Sequence, residues 1–381
     1  MIDPESCNAL KNAISEQMKL DKFLLDDLRS EIRPARGRVK RIQPRQTTAV
    51  SLVATDGGNN RIQFDPFLVQ LVRVVDSSNK EHCLEAVTPT TDVAALSASQ
   101  FRPDGSPCTP LGAMMAYLKV SKLTELSQMI RLTKTGEPVS PSWVQVYREL
   151  MEWAVLFQIV RTRDFATDTI IIRDGLLRSK VFAKELFVDY RRGLEEGIQH
   201  QRKQHRKIYI AGLSKSSKVL SRYRLAMALE GVLTCSYPAY VDVDRELERK
   251  AYVWGEYARG ADVAEAEGGE AAKYVGGTMF FVKFGPGPRA PVWPVDIFSP
   301  QVNEAAAILG YMLSDADNGF PIAHYPMCLQ KATENAELVD FDFDILQEQI
   351  FESLREALGN DQTVLDTFRF QIMSQPTAIT D

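Results

Sequence analysis

Thr48-Ala49-Val50-Ser51-Leu52-Val53-Ala54-Thr55-Asp56-Gly57-Gly58 is an apolar stretch that runs into a carboxylate and two glycines. Residues 48–54 read as a strand. Asn59-Asn60 follows, and Arg61 to Val75 is a second run rich in Ile, Phe, Leu and Val. Two such runs joined by Asp-Gly-Gly-Asn-Asn predict a β-hairpin over residues 46–76. Asp-Gly is ordinary turn chemistry. It is also what a strand-end site needs: a carboxylate aimed into a cleft, beside glycines that let a phosphate or a metal approach the backbone. A second copy, Ile170-Ile171-Ile172-Arg173-Asp174-Gly175, again ends an apolar strand in Asp-Gly and favours the functional meaning.

The flanking sequence supplies the rest of the architecture. Ser142 to Arg163 is a helix with Trp143, Val146, Tyr147, Leu150, Ala154 and Phe157 on one face. Strand 169–174, a helix around 179–205 and strand Ile208 to Leu213 read as a parallel βαβ unit. A helix from Lys218 to Leu233 follows. Upstream, Asn8 to Glu31 is a helix that Pro34 ends, followed by a basic linker, Arg33 to Arg45. Residues 83–140 are proline-rich and irregular, with one helix from Pro110 to Arg131. Downstream, residues 256–277 read as a flexible Ala/Gly/Glu-rich loop. Thr278 to Phe284 and Val292 to Phe298 form a hairpin around Gly285-Pro286-Gly287-Pro288, and Asn303 to Leu313 and Phe343 to Leu358 are helices. The expected fold is one mixed α/β domain with helical insertions. An N-terminal helix and basic linker span 1–45, the core spans 46–340, and a helical segment spans 341–381.

Composition sets limits. The 381 residues are 45% hydrophobic and 25% charged, as in globular proteins. No apolar run approaches the roughly 20 residues that span a bilayer. The N-terminus has neither a basic nor an apolar leader region, so no signal peptide is expected. The five cysteines are odd in number and never spaced Cys-x-x-Cys, which predicts free thiols in a reducing cytoplasm and no zinc site. The net charge of −5 does not favour nucleic acid, so any DNA contact needs positive charge gathered locally. It is gathered between Arg178 and Arg224, where Lys and Arg far outnumber Glu185, Asp189, Glu195 and Glu196. That run is either a solvated helix face or a phosphate track. Arg178, Lys215 and Lys218 are its candidate DNA contacts.

The stretch Met151 to Val160 is apolar around the whole helix, so Glu152 within it must be protonated, paired or bound to a cation. Pairing with Arg148, one turn back, is one outcome, and Glu149 is the alternative carboxylate. Asp56, Glu152 and Asp174 together are three hard oxygen donors of the kind that suits Mg²⁺ or Mn²⁺. Two such ions about 3.5–4 Å apart can activate a water and stabilise the leaving oxygen of a phosphodiester. There is no Walker A pattern and no Gly-x-Ser-x-Gly.

This succession of a strand ending in Asp-Gly, a helical Glu, a second strand ending in Asp-Gly, and a strand leading into Gly212-Leu213-Ser214-Lys215-Ser216-Ser217 resembles the NurA nucleases over roughly Ala49 to Asn335. The resemblance implies a ribonuclease H-like mixed sheet flanked by helices. It implies a metal-dependent DNA nuclease, using Mn²⁺ or Mg²⁺, that works as a homodimer with a HerA-like hexameric ATPase in DNA end processing or anti-phage defence. Asp56, Glu152 and Asp174 match the family's acidic residues, and Lys215 matches a lysine common there. Tyr325-Pro326-Met327-Cys328-Leu329-Gln330-Lys331-Ala332-Thr333 follows the family's Tyr-Pro-x-x-Leu-x-x-Ala-His, with Thr333 where histidine is expected. Tyr325 and the neighbouring His324 therefore join the catalytic candidates. The rival expectation is a weak or inactive NurA-like adaptor subunit on an ATPase ring. The N-terminal helix, with Leu10, Ile14, Met18, Leu20, Phe23 and Leu24, either contacts a partner or packs on the chain's own core.

Overall fold

The computed structural model describes residues 3–45, 50–64, 67–252, 274–337 and 340–358, and the side chains of 50–68, 340–343, 354, 357 and 358 lie outside that description. Nine strands are described: β1 Lys40–Arg41, β2 Val50–Phe64, β3 Phe67–Asp76, β4 Glu81–Val87, β5 Asp168–Asp174, β6 Ile208–Leu213, β7 Ala239–Asp242, β8 Gly277–Lys283 and β9 Trp293–Phe298. They form one mixed sheet in the order β1-β7-β8-β9-β6-β5-β2-β3-β4. At its centre β2, β5 and β6 are parallel. On one flank β3 and β4 continue as an antiparallel meander, and on the other β9, β8, β7 and β1 are antiparallel.

Alternation along β5 and β6 divides the core between the two faces. Ile171 and Ile210 pack toward the helices Trp143–Thr162 and Leu186–Lys203. Ile170, Ile172, Tyr209, Ala211 and Leu213 pack toward the helices Ala305–Ala316 and Met327–Ala336. Strands buried on both faces read as unbroken apolar runs, which is why β5 and β6 were visible in the sequence.

Several expectations are corrected. β2 runs straight through Asp56-Gly57-Gly58-Asn59-Asn60, and its ladder to β3 extends from Thr55↔Asp76 to Phe64↔Phe67. The hairpin exists, but its ladder continues past Asp56 to Phe64↔Phe67. A long ladder satisfies each backbone group in turn and outweighs the local cost of two glycines. β4 lies in a stretch read as irregular. The expected helix Pro110–Arg131 is two short ones, Pro110–Tyr117 and Leu123–Leu126, with Lys119 at φ 59° between them. The crossover helix begins at Leu186, because residues 175–185 turn the chain away from β5. The N-terminal helix is interrupted at Asp21, giving Pro4–Leu20 and Lys22–Ile32. β7 and the helices Arg245–Ala251 and Met327–Ala336 were not foreseen. Of the expected loop at 256–277, residues up to 273 lie outside the described residues; Val275 bridges to Arg178 and Gly277 opens β8. No described helix is long and apolar enough to cross a membrane.

Candidate active site at the ends of the parallel strands

The β2–β5 pairing ends at Thr55↔Arg173, so the backbone of Asp56 stands level with that of Asp174, the last residue of β5. The side chain of Asp56 is not among those described. Asp174 is half-buried. Immediately after it Gly175 takes φ +105°, and its N–H donates to the Leu213 carbonyl at 2.7 Å. The turn lies close over β6: a Cβ at Gly212 would come within 2.5 Å of the Gly175 carbonyl oxygen. Both glycines are thus required by geometry, one for its dihedral and one for the close approach.

Glu152 is reached from the opposite face. Arg173 donates to its Oε2 at 2.8 Å, and Arg148 lies 3.5 Å from Oε1. The Arg173 guanidinium also sits 4.3 Å over the Trp153 ring and donates to the Leu176 carbonyl at 3.3 Å. Alternation puts Asp174 on the face of Ile170 and Ile172, away from Arg173 and Glu152. Glu149 accepts from the Ser179 hydroxyl at 2.7 Å and from the Trp153 indole at 3.3 Å. Among the described residues no three His, Cys, Asp or Glu side chains form a group that could hold a metal.

Beyond the end of β6 lies a cleft of about 480 Å³ lined by Lys215, Phe320, Pro321, Ile322, Tyr325, Gln330, Thr333, Glu334 and Glu337. Lys215 is exposed, and Tyr325 is fully buried, edge-on to Trp293 at 4.9 Å. The Thr333 hydroxyl is buried and finds no hydrogen-bond partner among the described residues. His324 does not line the cleft. Its backbone is left-handed at φ 57°, its carbonyl accepts from the Trp293 indole at 3.1 Å, and its ring packs on Gly285.

The basic run does not form one track. Arg178 is a correction: it is buried, and it is paired with Asp296 at 2.8 Å and with Glu248. A guanidinium saturated by two buried carboxylates faces no phosphate. Arg206 and Lys207 precede β6 while Lys215 and Lys218 follow it, so a six-residue strand separates them by about 20 Å. Lys215 and Lys218 are the exposed pair beside the site.

Two groups near the site escaped the sequence reading. Arg173 was read only as part of a strand. Asp76 ends β3 opposite Thr55, fully buried, and contacts His82 at 3.2 Å and Arg163 at 3.4 Å. Burial raises its pKa, but hydrogen bonds from His82 and from the Lys80 and Ser78 amides outweigh it and lower the carboxyl from 3.8 to about 2. The Asp-Ser-Ser-Asn turn chemistry was the available signal.

No protein-family model matches the chain, and no curated protein does. Among solved structures it is similar to the crystal structure of the NurA nuclease from Sulfolobus solfataricus, with 13% identity and a TM-score of 0.45, over 94% of this chain and 99% of that one. A crystal structure of NurA with manganese is similar at 11% identity and a TM-score of 0.39, over 92% and 99% of the two chains. One of NurA bound to dAMP and manganese is similar at 10% identity and a TM-score of 0.39, over 86% and 94%. Along most of its length, then, this chain has NurA nucleases among its structural neighbours.

Proposed function

We propose that this chain is a divalent-metal-dependent deoxyribonuclease of the NurA kind, with its centre where the β2–β5 pairing ends. The observation that carries the reading is the parallel register that sets Asp56 beside Asp174, at the same sheet edge as the Lys215 cleft. Ligands of open α/β sheets bind outside the carboxyl ends of the parallel strands. The order β4-β3-β2-β5-β6, an antiparallel meander followed by two parallel strands, supports a ribonuclease H-like core.

Carboxylates on neighbouring strand ends are a hard-oxygen donor set that fits Mn²⁺ or Mg²⁺. Asp56 and Asp174 would hold the metal, whereas Glu152, expected as a third ligand, is ion-paired to Arg173 on the other face and does not join them. When bound, the metal supplies an activated water and charge stabilisation for the leaving oxygen. Lys215 and Lys218 hold the phosphate backbone by charge. Tyr325 closes the floor of the cleft, and His324 anchors the loop leading into it.

The helix Pro4–Leu20 buries none of its residues, and Leu10, Ile14, Met18, Leu20, Phe23 and Leu24 are exposed. This apolar surface supports docking on a HerA-like hexameric ATPase, or homodimer formation, as its role. Labelled single- and double-stranded DNA incubated with the purified chain, with and without Mn²⁺, is the direct test. Cleavage that needs the metal and disappears in Asp56→Ala and Asp174→Ala supports the reading, and metal-independent or absent cleavage defeats it. A second reading, an inactive adaptor on an ATPase ring, is favoured by two observations: Thr333 leaves a hydroxyl where the family has a histidine, and Glu152 is already ion-paired.

A further inference from the structure

We propose that Phe320, on the lip of the Lys215 cleft, is a stacking platform for an unpaired terminal nucleobase of a DNA strand. The proposal deepens the nuclease reading and rests on it. Phe320 is 76% exposed, the most exposed of the large hydrophobic side chains among the described residues, and Ile322 beside it is 39% exposed.

The lip that carries the ring is nevertheless held firmly. Gln330, itself buried, accepts from the Ile322 N–H at 2.8 Å and donates to the carbonyls of Ile322 at 3.0 Å and Tyr325 at 2.9 Å. Gly319 packs so closely that a Cβ there would lie 2.4 Å from the Tyr325 carbonyl oxygen. A ring presented on a fixed loop loses little entropy on binding a flat partner. Base–aromatic stacking is tolerant of sequence, as an end-processing enzyme requires.

The cleft supplies the rest of a nucleotide's needs. Lys215 is the one cationic residue lining the cleft among the described residues, and Glu334 and Glu337 repel a backbone placed elsewhere. A volume of about 480 Å³ accommodates a nucleotide or two but not a duplex. The ligand class is therefore a frayed or single-stranded DNA end.

The test is a single-stranded oligonucleotide carrying 2-aminopurine at one end, mixed with the full chain in EDTA so that no cleavage intervenes. We expect terminal fluorescence to be quenched several-fold on binding, and an internal 2-aminopurine to change little. Phe320→Trp should keep the quenching. Phe320→Ala and Phe320→Leu should lose it and weaken binding about tenfold, with unchanged circular dichroism. Quenching that persists in Phe320→Ala, or native chain that binds the strand without quenching, overturns the platform while the nuclease reading stands. A chain that binds no DNA overturns both.

Discussion

At the scale of single residues, charged groups that look alike in sequence have opposite fates. Arg178 and Lys215 both belong to the basic run, yet one is buried in an ion-pair network and the other is exposed at the cleft. Burial lowers the pKa of the Arg178 guanidinium, but Asp296 and Glu248 outweigh it and hold the group well above its usual range. Arg178→Ala would strand two buried carboxylates and is expected to destabilise the chain by about 3–5 kcal/mol in denaturant melts. Lys215→Ala should leave the melt unchanged and weaken DNA binding, lowering the salt slope of log K by about 1. Arg173 is central at this scale as well. It ties Glu152 to the turn after Asp174, so Arg173→Ala should reduce cleavage far more than it reduces the affinity for DNA.

At the scale of elements, close packing and one buried carboxylate set the tolerances. The helices Leu186–Lys203 and Trp143–Thr162 approach at Gly193, where a Cβ would meet Phe157 at 2.5 Å and Tyr117 at 2.8 Å. Gly193→Ala is expected to lower stability by about 2 kcal/mol, read from the urea midpoint at unchanged slope. The β3–β4 turn is governed by Asp76. Its folded pKa of about 2 lies below the ordinary 3.8, so it stabilises the fold above that ordinary value. The contribution is lost as pH falls from about 4 to 2. A shift of this size corresponds to roughly 2 kcal/mol at neutral pH. Asp76→Asn should be destabilised at pH 7 and should lack that part of the acid-induced loss, which urea melts across pH 2–7 measure.

At the scale of the whole molecule, the sheet brings together residues from distant parts of the chain, and the N-terminal helix keeps its apolar side chains exposed. If that helix docks on an ATPase ring or a second copy, Ile14→Glu should abolish the association in mass photometry without altering cleavage of short single strands. A monomeric chain that degrades DNA unaided and gains nothing from such an ATPase would remove the partner from the account.

The sequence alone determined the parallel pair β5 and β6, the buried helix between residues 142 and 163 and the hairpin β8–β9, because each carries a periodicity that local burial dictates. It also singled out Asp174 and the glycine beside it, since only glycine fits the positive φ there. Its resemblance to NurA nucleases pointed to the same neighbours that the folded chain finds. The length of the β2–β3 ladder, the strand β4 and the partners of Glu152 and Arg178 were decided only by tertiary structure. A ladder draws on a second strand that local propensity cannot see. An ion pair depends on contacts such as Arg178 with Asp296, 118 residues apart. No local pattern records which charge will be buried against which.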